Sequence, residues 1–191
     1  MKLYLARHGQ SVHNRDKNDP GPHSPLTDEG REQARLLGEW LAANVTIDVI
    51  YASPYVRARD TADIVAAKLG LPVRVRDELY EAPVFLPDVL PQQPAPWRQP
   101  WPVPALPPAY AAFREQVAGV TRDLVARHPD ETVLVVSHAG TVATMIRLLL
   151  GVDAISFRTG NTALHHLAWD QWRRWEVRYL NRREHLQHGG S

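Results

Sequence analysis

The sequence predicts an α/β fold: a three-layer α/β/α sandwich around a mostly parallel central sheet, built as a single domain over 1–191. Three observations predict it. Short apolar stretches alternate with segments of helical periodicity, the pattern of strands joined by crossover helices. Val133-Leu134-Val135-Val136 is an unbroken apolar run, as expected of a strand covered on both faces. The 191 residues are enough for one domain with a real core.

The elements follow in order. Lys2 to Arg7 reads as a strand running straight into Arg7-His8-Gly9. Pro20 to Pro25 is a loop rich in Gly, Pro and Ser. Thr27 is the expected N-cap of a helix reaching about Ala43. Asp28 and Glu29 sit in its first turn, where negative charge is favourable, and Ala34, Leu37, Gly38 and Leu41 form its packing face. Asp48 to Ala52 is a second strand. Ser53 as N-cap and Pro54 at the first helical position open the next helix, which stops near Leu69 at Gly70. Val73 to Val75 is a third strand.

Phe113, Val117, Val120 and Leu124 share one face of a helix ending before Pro129. After the valine-rich strand comes a helix from about Thr141 to Gly151. Thr162 to Trp169 and Trp172 to Leu180 are the final strands, joined tightly around Asp170-Gln171. The tail from His185 to Ser191 reads as frayed and solvated. No internal repeat is present.

One segment breaks this rhythm. Ala82 to Pro108 is crowded with proline and carries Phe85, Trp97 and Trp101. Proline at that density excludes regular helix and interior strand. The segment is too long for an ordinary connection, so it is either a lid that excludes water and selects substrates by shape, or a rigid excursion whose tryptophans pack on the body.

Composition narrows the function classes. With 22 Lys and Arg against 21 Asp and Glu, the near-neutral charge implies no nucleic-acid or polyanion partner. No apolar run approaches the roughly 20 residues that span a membrane, and the first strand begins too early to leave room for a signal peptide. There is no cysteine. That removes disulfides, thiolate metal sites and cysteine nucleophiles, and it fits a cytoplasmic location. Oligomeric state is left open.

Chemistry concentrates where strands end, the place at which ligands bind open α/β sheets. Arg7-His8-Gly9 puts an imidazole beside a guanidinium suited to phosphate oxygens, and Gly9 permits a tight turn and a close approach to a ligand. Arg57 lies in the first turns of the helix after the second strand, while Arg59 must face elsewhere. Ser137-His138-Ala139-Gly140 joins a buried strand to a helix N-terminus, a natural anion site. Leu79-Tyr80-Glu81 adds a carboxylate after the third strand. Among the other histidines, His13 and His23 lie in loops near this expected pocket. One of the alternating His165 and His166 should face inward as a hydrogen-bonded core residue, and His128 sits at a helix end. Trp169, Trp172 and Trp175 read as packing residues.

Arg7-His8-Gly9-Gln10-Ser11 with Asn14, Pro25-Leu26-Thr27 with Gly30 and Gln33-Ala34, Ser53-Pro54 with Arg57-Ala58 and Thr61-Ala62, Leu79-x-Glu81, and Ser137-His138-Ala139-Gly140 form an ordered set. In order and approximate spacing it resembles the histidine phosphatase superfamily, which includes the cofactor-dependent phosphoglycerate mutases. The resemblance covers nearly the whole chain. It implies that His8 is a nucleophile that becomes phosphorylated and that Arg7, Arg57 and His138 surround the phosphoryl group. Asn14 and Ser11 match secondary positions of the phosphate pocket, and Glu81 matches the proton donor and acceptor. It implies no metal and no organic cofactor.

The physical reasons agree. Phosphoryl transfer is largely positioning plus charge stabilisation, so two arginines and a cationic His138 can do the work a metal does elsewhere. His8 must be neutral at its attacking nitrogen, with the other ring N–H held by a backbone carbonyl. The segment after Glu81, Ala82-Pro83-Val84, departs from the Gly- and Trp-containing pattern of many relatives. Glu78 and Asp77 are therefore neighbouring candidates for the acid.

The reading that follows is a metal-independent phosphatase of the phosphoglycerate mutase-like group, hydrolysing small organic phosphomonoesters through a phosphohistidine. The alternatives are a phosphoglycerate mutase, a protein phosphohistidine phosphatase and a phosphate-binding protein without catalysis. The aromatic content of the excursion, where Arg98 is an exceptional cation, favours a partly apolar or ring-bearing leaving group.

Overall fold

The computed structural model describes residues 1–16, 21–83, 85–90 and 105–187. Trp97, Trp101 and Arg98 of the proline-rich segment lie outside the described residues, as does the end of the tail.

Six strands form one sheet: β1 (Lys2–Arg7), β2 (Val49–Ala52), β3 (Val73–Val75), β4 (Thr132–Ser137), β5 (Leu164–Trp169) and β6 (Trp175–Arg182). Their order is β3-β2-β4-β1-β5-β6. The four strands from β3 to β1 run parallel, and β5 is antiparallel to both β1 and β6. The helices are α1 (Val12–Asp16), α2 (Asp28–Asn44), α3 (Val56–Leu69), α4 (Leu86–Val89), α5 (Pro108–Arg127) and α6 (Ala139–Leu150).

The side-chain period of two sends successive strand residues to opposite layers. Leu3, Leu5, Val133 and Val135 pack with Phe113, Val117, Val120 and Leu124 of α5 and with Val142, Met145 and Ile146 of α6. Tyr4, Ala6, Leu134 and Val136 pack with Leu37 and Leu41 of α2 and Ala62 and Val65 of α3. The expected three layers and mostly parallel sheet are observed. The valine-rich strand is buried along its whole length.

Most helix signals act as read. Thr27 caps α2 by accepting the Gly30 N–H, while Gly70 and Gly151 stop α3 and α6 at φ 68° and 67°, angles that glycine adopts without penalty. The α6 helix starts at Ala139, two residues before the expected Thr141.

Four expectations are corrected. Ser53 caps nothing: α3 begins at Val56, its N-cap position is Tyr55, and no side chain bonds there. Pro54 therefore lies in the turn before the helix. The tail is not frayed at its start, because Glu184–Leu186 forms a 3₁₀ turn with His185 buried. The His185 ring reaches Thr162 Oγ1 at 3.0 Å, and that contact outweighs the local polar composition. Trp172 does not pack: it is 67% exposed, with the Arg174 guanidinium over its ring. Trp169 is exposed as well, its ring set edge-on to Trp175.

Other histidines settle into structural places. His165 is the inward one, its Nδ1 accepting the Asn181 N–H, and His166 stacks on Tyr4. His128 is the C-cap of α5, and its ring bridges the Tyr51 hydroxyl and Glu131. Within the proline-rich segment, Leu86 is buried against the core while Phe85 is 70% exposed.

Candidate functional site

Three adjacent parallel strands, β2, β4 and β1, end side by side. Arg7 is in register with Ser137, and Ala52 with Val136. The His8 N–H donates to Ser137 O and the Ser53 N–H to Val136 O, each extending the ladder past the sheet by one bond. His8, Ser53 and His138 are thereby brought together from sequence positions far apart.

His8 is 2% exposed and Arg57 3%. His8 Nδ1 lies 2.7 Å from Gly9 O. A carbonyl can only accept, so the ring carries its proton on Nδ1 and its lone pair on Nε2. Arg57 Nε, which can only donate, sits 3.2 Å from that Nε2 and agrees with the assignment. The expected carbonyl tether is present. Arg57 is anchored by Gly21 O at 2.9 Å, and Arg7 by Thr159 O at 2.9 Å. Burial and the neighbouring Arg7 and Arg57 charges hold His8 well below the ordinary imidazole range.

The glycine of the first motif has a different partner from the one expected. A Cβ on Gly9 would collide with the Gly30 carbonyl, so Gly9 lets the loop lie against the first turn of α2. Its N–H donates to Thr61 Oγ1 at 3.0 Å. Gly30 and Thr61 of the ordered motif set thus hold the His8 loop.

His138 is fully buried, with its ring 5.2 Å from the His8 ring and 5.0 Å from that of Tyr55. The Arg57 guanidinium lies over the same Tyr55 ring at 5.1 Å. Burial first, then His8, Arg57 and Arg7, push His138 well below its ordinary value. The expected cationic His138 is therefore corrected for the free site, where the imidazole is neutral.

Glu81 is carried to the site by a set of short bonds. The Ser137 hydroxyl donates to Leu79 O at 2.7 Å and the Thr141 hydroxyl to Tyr80 O at 2.5 Å. The Gly140 and Ala82 N–H groups donate to Glu81 Oε1 at 3.0 and 2.9 Å. One carboxylate oxygen is thus fixed at the N-terminus of α6. Burial raises the Glu81 pKa against the opposing pull of those N–H groups and of Arg7. Of the neighbouring candidates, Glu78 pairs with Arg76, and Asp77 is the first residue of a 3₁₀ turn.

Asn14 Oδ1 accepts from the Ser11 N–H at 3.2 Å and from Asn161 Nδ2 at 3.0 Å. Ser11 is buried and its Oγ accepts the Asn14 N–H, which starts α1. Asn161 also donates to His8 O at 3.1 Å. Asn161 and Ser53 were missed as site residues. Asn161 stands alone before a strand with no motif around it, and Ser53-Pro54 fits the N-cap pattern too well. Arg59 faces away toward Asp63, as expected.

Comparison with known proteins agrees with this geometry. Residues 3–183 match the family model described as histidine phosphatase superfamily (branch 1). The chain belongs to the histidine phosphatase superfamily. It is 32% identical over 168 residues to the adenosylcobalamin/alpha-ribazole phosphatase of Escherichia coli, covering 81% of each chain. It is 31% identical to phosphoserine phosphatase 1 of Hydrogenobacter thermophilus over 170 residues, covering 82% of this chain and 80% of the relative. The alpha-ribazole phosphatase structure from Shigella flexneri superposes with a TM-score of 0.73 at 26% identity, covering 96% of this chain and 97% of that one. Membership in this family supports phosphomonoester hydrolysis as the class of reaction.

Proposed function

We propose that this protein is a metal-independent phosphatase that hydrolyses small organic phosphomonoesters through a phosphorylated His8. The observation that carries the reading is a buried imidazole held as its Nδ1–H form, with Nε2 facing Arg57 and with Arg7 and His138 close by. The substrate class rests on the relatives, whose names refer to alpha-ribazole and phosphoserine.

Arg7 and Arg57 supply positive charge to an incoming phosphate dianion. That dianion draws Arg57 from His8 Nε2 and frees the lone pair. Nε2 then attacks phosphorus as the P–O bond to the alcohol breaks, and protonated Glu81 gives its proton to the departing oxygen. In the second half, Glu81 takes a proton from water as the water oxygen attacks phosphorus and the P–N bond breaks. Inorganic phosphate leaves and both side chains return to their starting states. Covalent capture divides one hard displacement into two easier ones. Asn14 and Ser11 support the phosphate pocket, Asn14 by presenting its amide and Ser11 by fixing Asn14.

The test is turnover of p-nitrophenyl phosphate in EDTA by wild type beside His8→Ala. Turnover that survives EDTA and disappears in the variant is the expected result. Turnover that His8→Ala retains would overturn the role of His8. Turnover abolished by EDTA would overturn metal independence.

A further inference from the structure

Ser53 is the one side chain that bonds the His138 ring among the described contacts, and the direction of that bond can be deduced. Ser53 is fully buried. Its Oγ accepts the Tyr55 N–H at 3.3 Å and lies 2.8 Å from His138 Nε2. A serine hydroxyl has one proton to give. Among the described contacts, His138 Nε2 is the only acceptor in reach of it. If Nε2 carried a proton instead, the Ser53 hydroxyl would receive two donors and its own proton would be buried without a partner, an arrangement that is costly. Ser53 therefore donates to Nε2, and the proton of neutral His138 resides on Nδ1.

That nitrogen has no protein acceptor among the described residues, although it is buried. Buried polar atoms are nearly always satisfied, so an unpaired N–H set among Arg7, Arg57 and His8 is a donor kept for an incoming anion. We propose that Ser53 is a positioning residue for phosphoryl binding: it fixes His138 as the Nδ1–H tautomer, so that a neutral N–H donor is ready for a phosphoryl oxygen before substrate arrives. The inference rests on the phosphatase reading of the same site.

The arrangement explains how a neutral His138 can serve next to two arginines and His8. A third permanent charge there would repel its neighbours in the free protein. A fixed N–H dipole avoids that repulsion and needs no reorganisation when the phosphoryl group arrives. It also accounts for Ser53-Pro54 failing to cap α3. The hydroxyl is committed to the imidazole, and the turn through Pro54 keeps it at the strand end.

The test uses the full chain with ¹⁵N-labelled histidine, read by the ring nitrogen shifts that separate Nδ1–H from Nε2–H imidazoles. Wild type is expected to show His138 as Nδ1–H, and Ser53→Ala to show a mixture of both forms. Ser53→Ala should bind inorganic phosphate and orthovanadate about tenfold more weakly, the scale of one hydrogen bond to a charged group. It should also lose about tenfold in kcat on p-nitrophenyl phosphate, while Ser53→Thr, which keeps the hydroxyl, recovers most of both. An Nε2–H signal in wild type would overturn the proposal, even if Ser53→Ala cannot be purified folded. Unchanged phosphate affinity in a folded Ser53→Ala would also overturn it. A wild type with the Nδ1–H signal and tight phosphate binding but no ester turnover would leave Ser53 in its role and sink the phosphatase reading instead.

Discussion

Gly140 and Glu81 are in direct contact: the Gly140 N–H donates to Glu81 Oε1 at 3.0 Å, and a Cβ placed on Gly140 would come within 2.6 Å of that same oxygen. The absence of a side chain at the second residue of α6 is what lets the carboxylate sit on the helix N-terminus. Ala82 Cβ closes the other side at 2.8 Å from the same point. Of these two side-chain atoms the carboxylate is the one that can swing away, so a side chain at position 140 would displace the candidate acid.

Gly140→Ala should therefore fold but misplace Glu81. We expect kcat on an alkyl phosphate, whose leaving oxygen needs a proton, to fall by about 10²-fold, the low end of what general acid catalysis contributes. The loss on p-nitrophenyl phosphate should be smaller, because its phenolate leaves with less help. Steady-state kinetics on both esters, with thermal melting to confirm folding, checks this. Equal losses on the two would place the effect elsewhere than on the acid.

The pH dependence of catalysis follows from His8 and Glu81. Burial and two arginines depress His8, so the nucleophile stays neutral as pH falls through about 6.5, where an ordinary histidine would charge. Burial raises Glu81, so its acid form is lost as pH rises through that elevated value. The ratio of kcat/KM between wild type and Glu81→Gln on an alkyl phosphate cancels the substrate's own titration. That ratio should be largest on the acidic side and shrink toward alkaline pH. A ratio flat in pH would remove Glu81 from the role of acid.

Most of the site was legible because its residues follow strands whose burial the sequence declares. The strand order was not legible: it is the structure that sets β4 between β1 and β2, and that order brings Arg7, His8, Arg57 and His138 to neighbouring carboxyl ends. What escaped notice depends on contacts between remote segments. Ser53 satisfies a local capping rule, yet its hydroxyl is taken by His138 from 85 positions away. His185 lies in a polar tail, yet Thr162 supplies a buried partner. The α1 turn is a short helix with no buried residue, so no apolar periodicity reveals it.

Stability should fall on acidification through the histidines rather than the carboxylates first. Burial lowers His165, His166 and His185 to about 4, and it moves His8 and His138 in the same direction. Unfolded histidine titrates near 6.5. Between those values the unfolded chain binds more protons than the folded one, so stability declines as pH falls from about 6.5 toward about 4. Each deeply buried ring contributes at most about 1.4 kcal/mol per pH unit. Thermal melting from pH 7.5 to 4.5 should show the decline, and His185→Gln should flatten it while lowering Tm at pH 7.5 through loss of the Thr162 bond. A variant curve parallel to wild type would mean that His185 is not part of the proton linkage.

Asn161 links the nucleophile's backbone to the phosphate-pocket candidate Asn14, since its single Nδ2 donates to both His8 O and Asn14 Oδ1. Asn14 Oδ1 is then occupied by two donors, the other being the Ser11 N–H. Asn161→Ala removes one donor and lets Asn14 rotate, so phosphate should bind several-fold more weakly and kcat should fall by about tenfold, consistent with one buried hydrogen bond of about 1 kcal/mol together with lost orientation. Asn161→Asp should be worse than Asn161→Ala. It sets a carboxylate against two carbonyl-type oxygens and places a negative charge beside a site built for a dianion. Inhibition by inorganic phosphate and kcat on p-nitrophenyl phosphate, measured on both variants, give the ranking. An aspartate variant as active as the alanine one would show that Asn161 spaces the loop and does not orient the pocket.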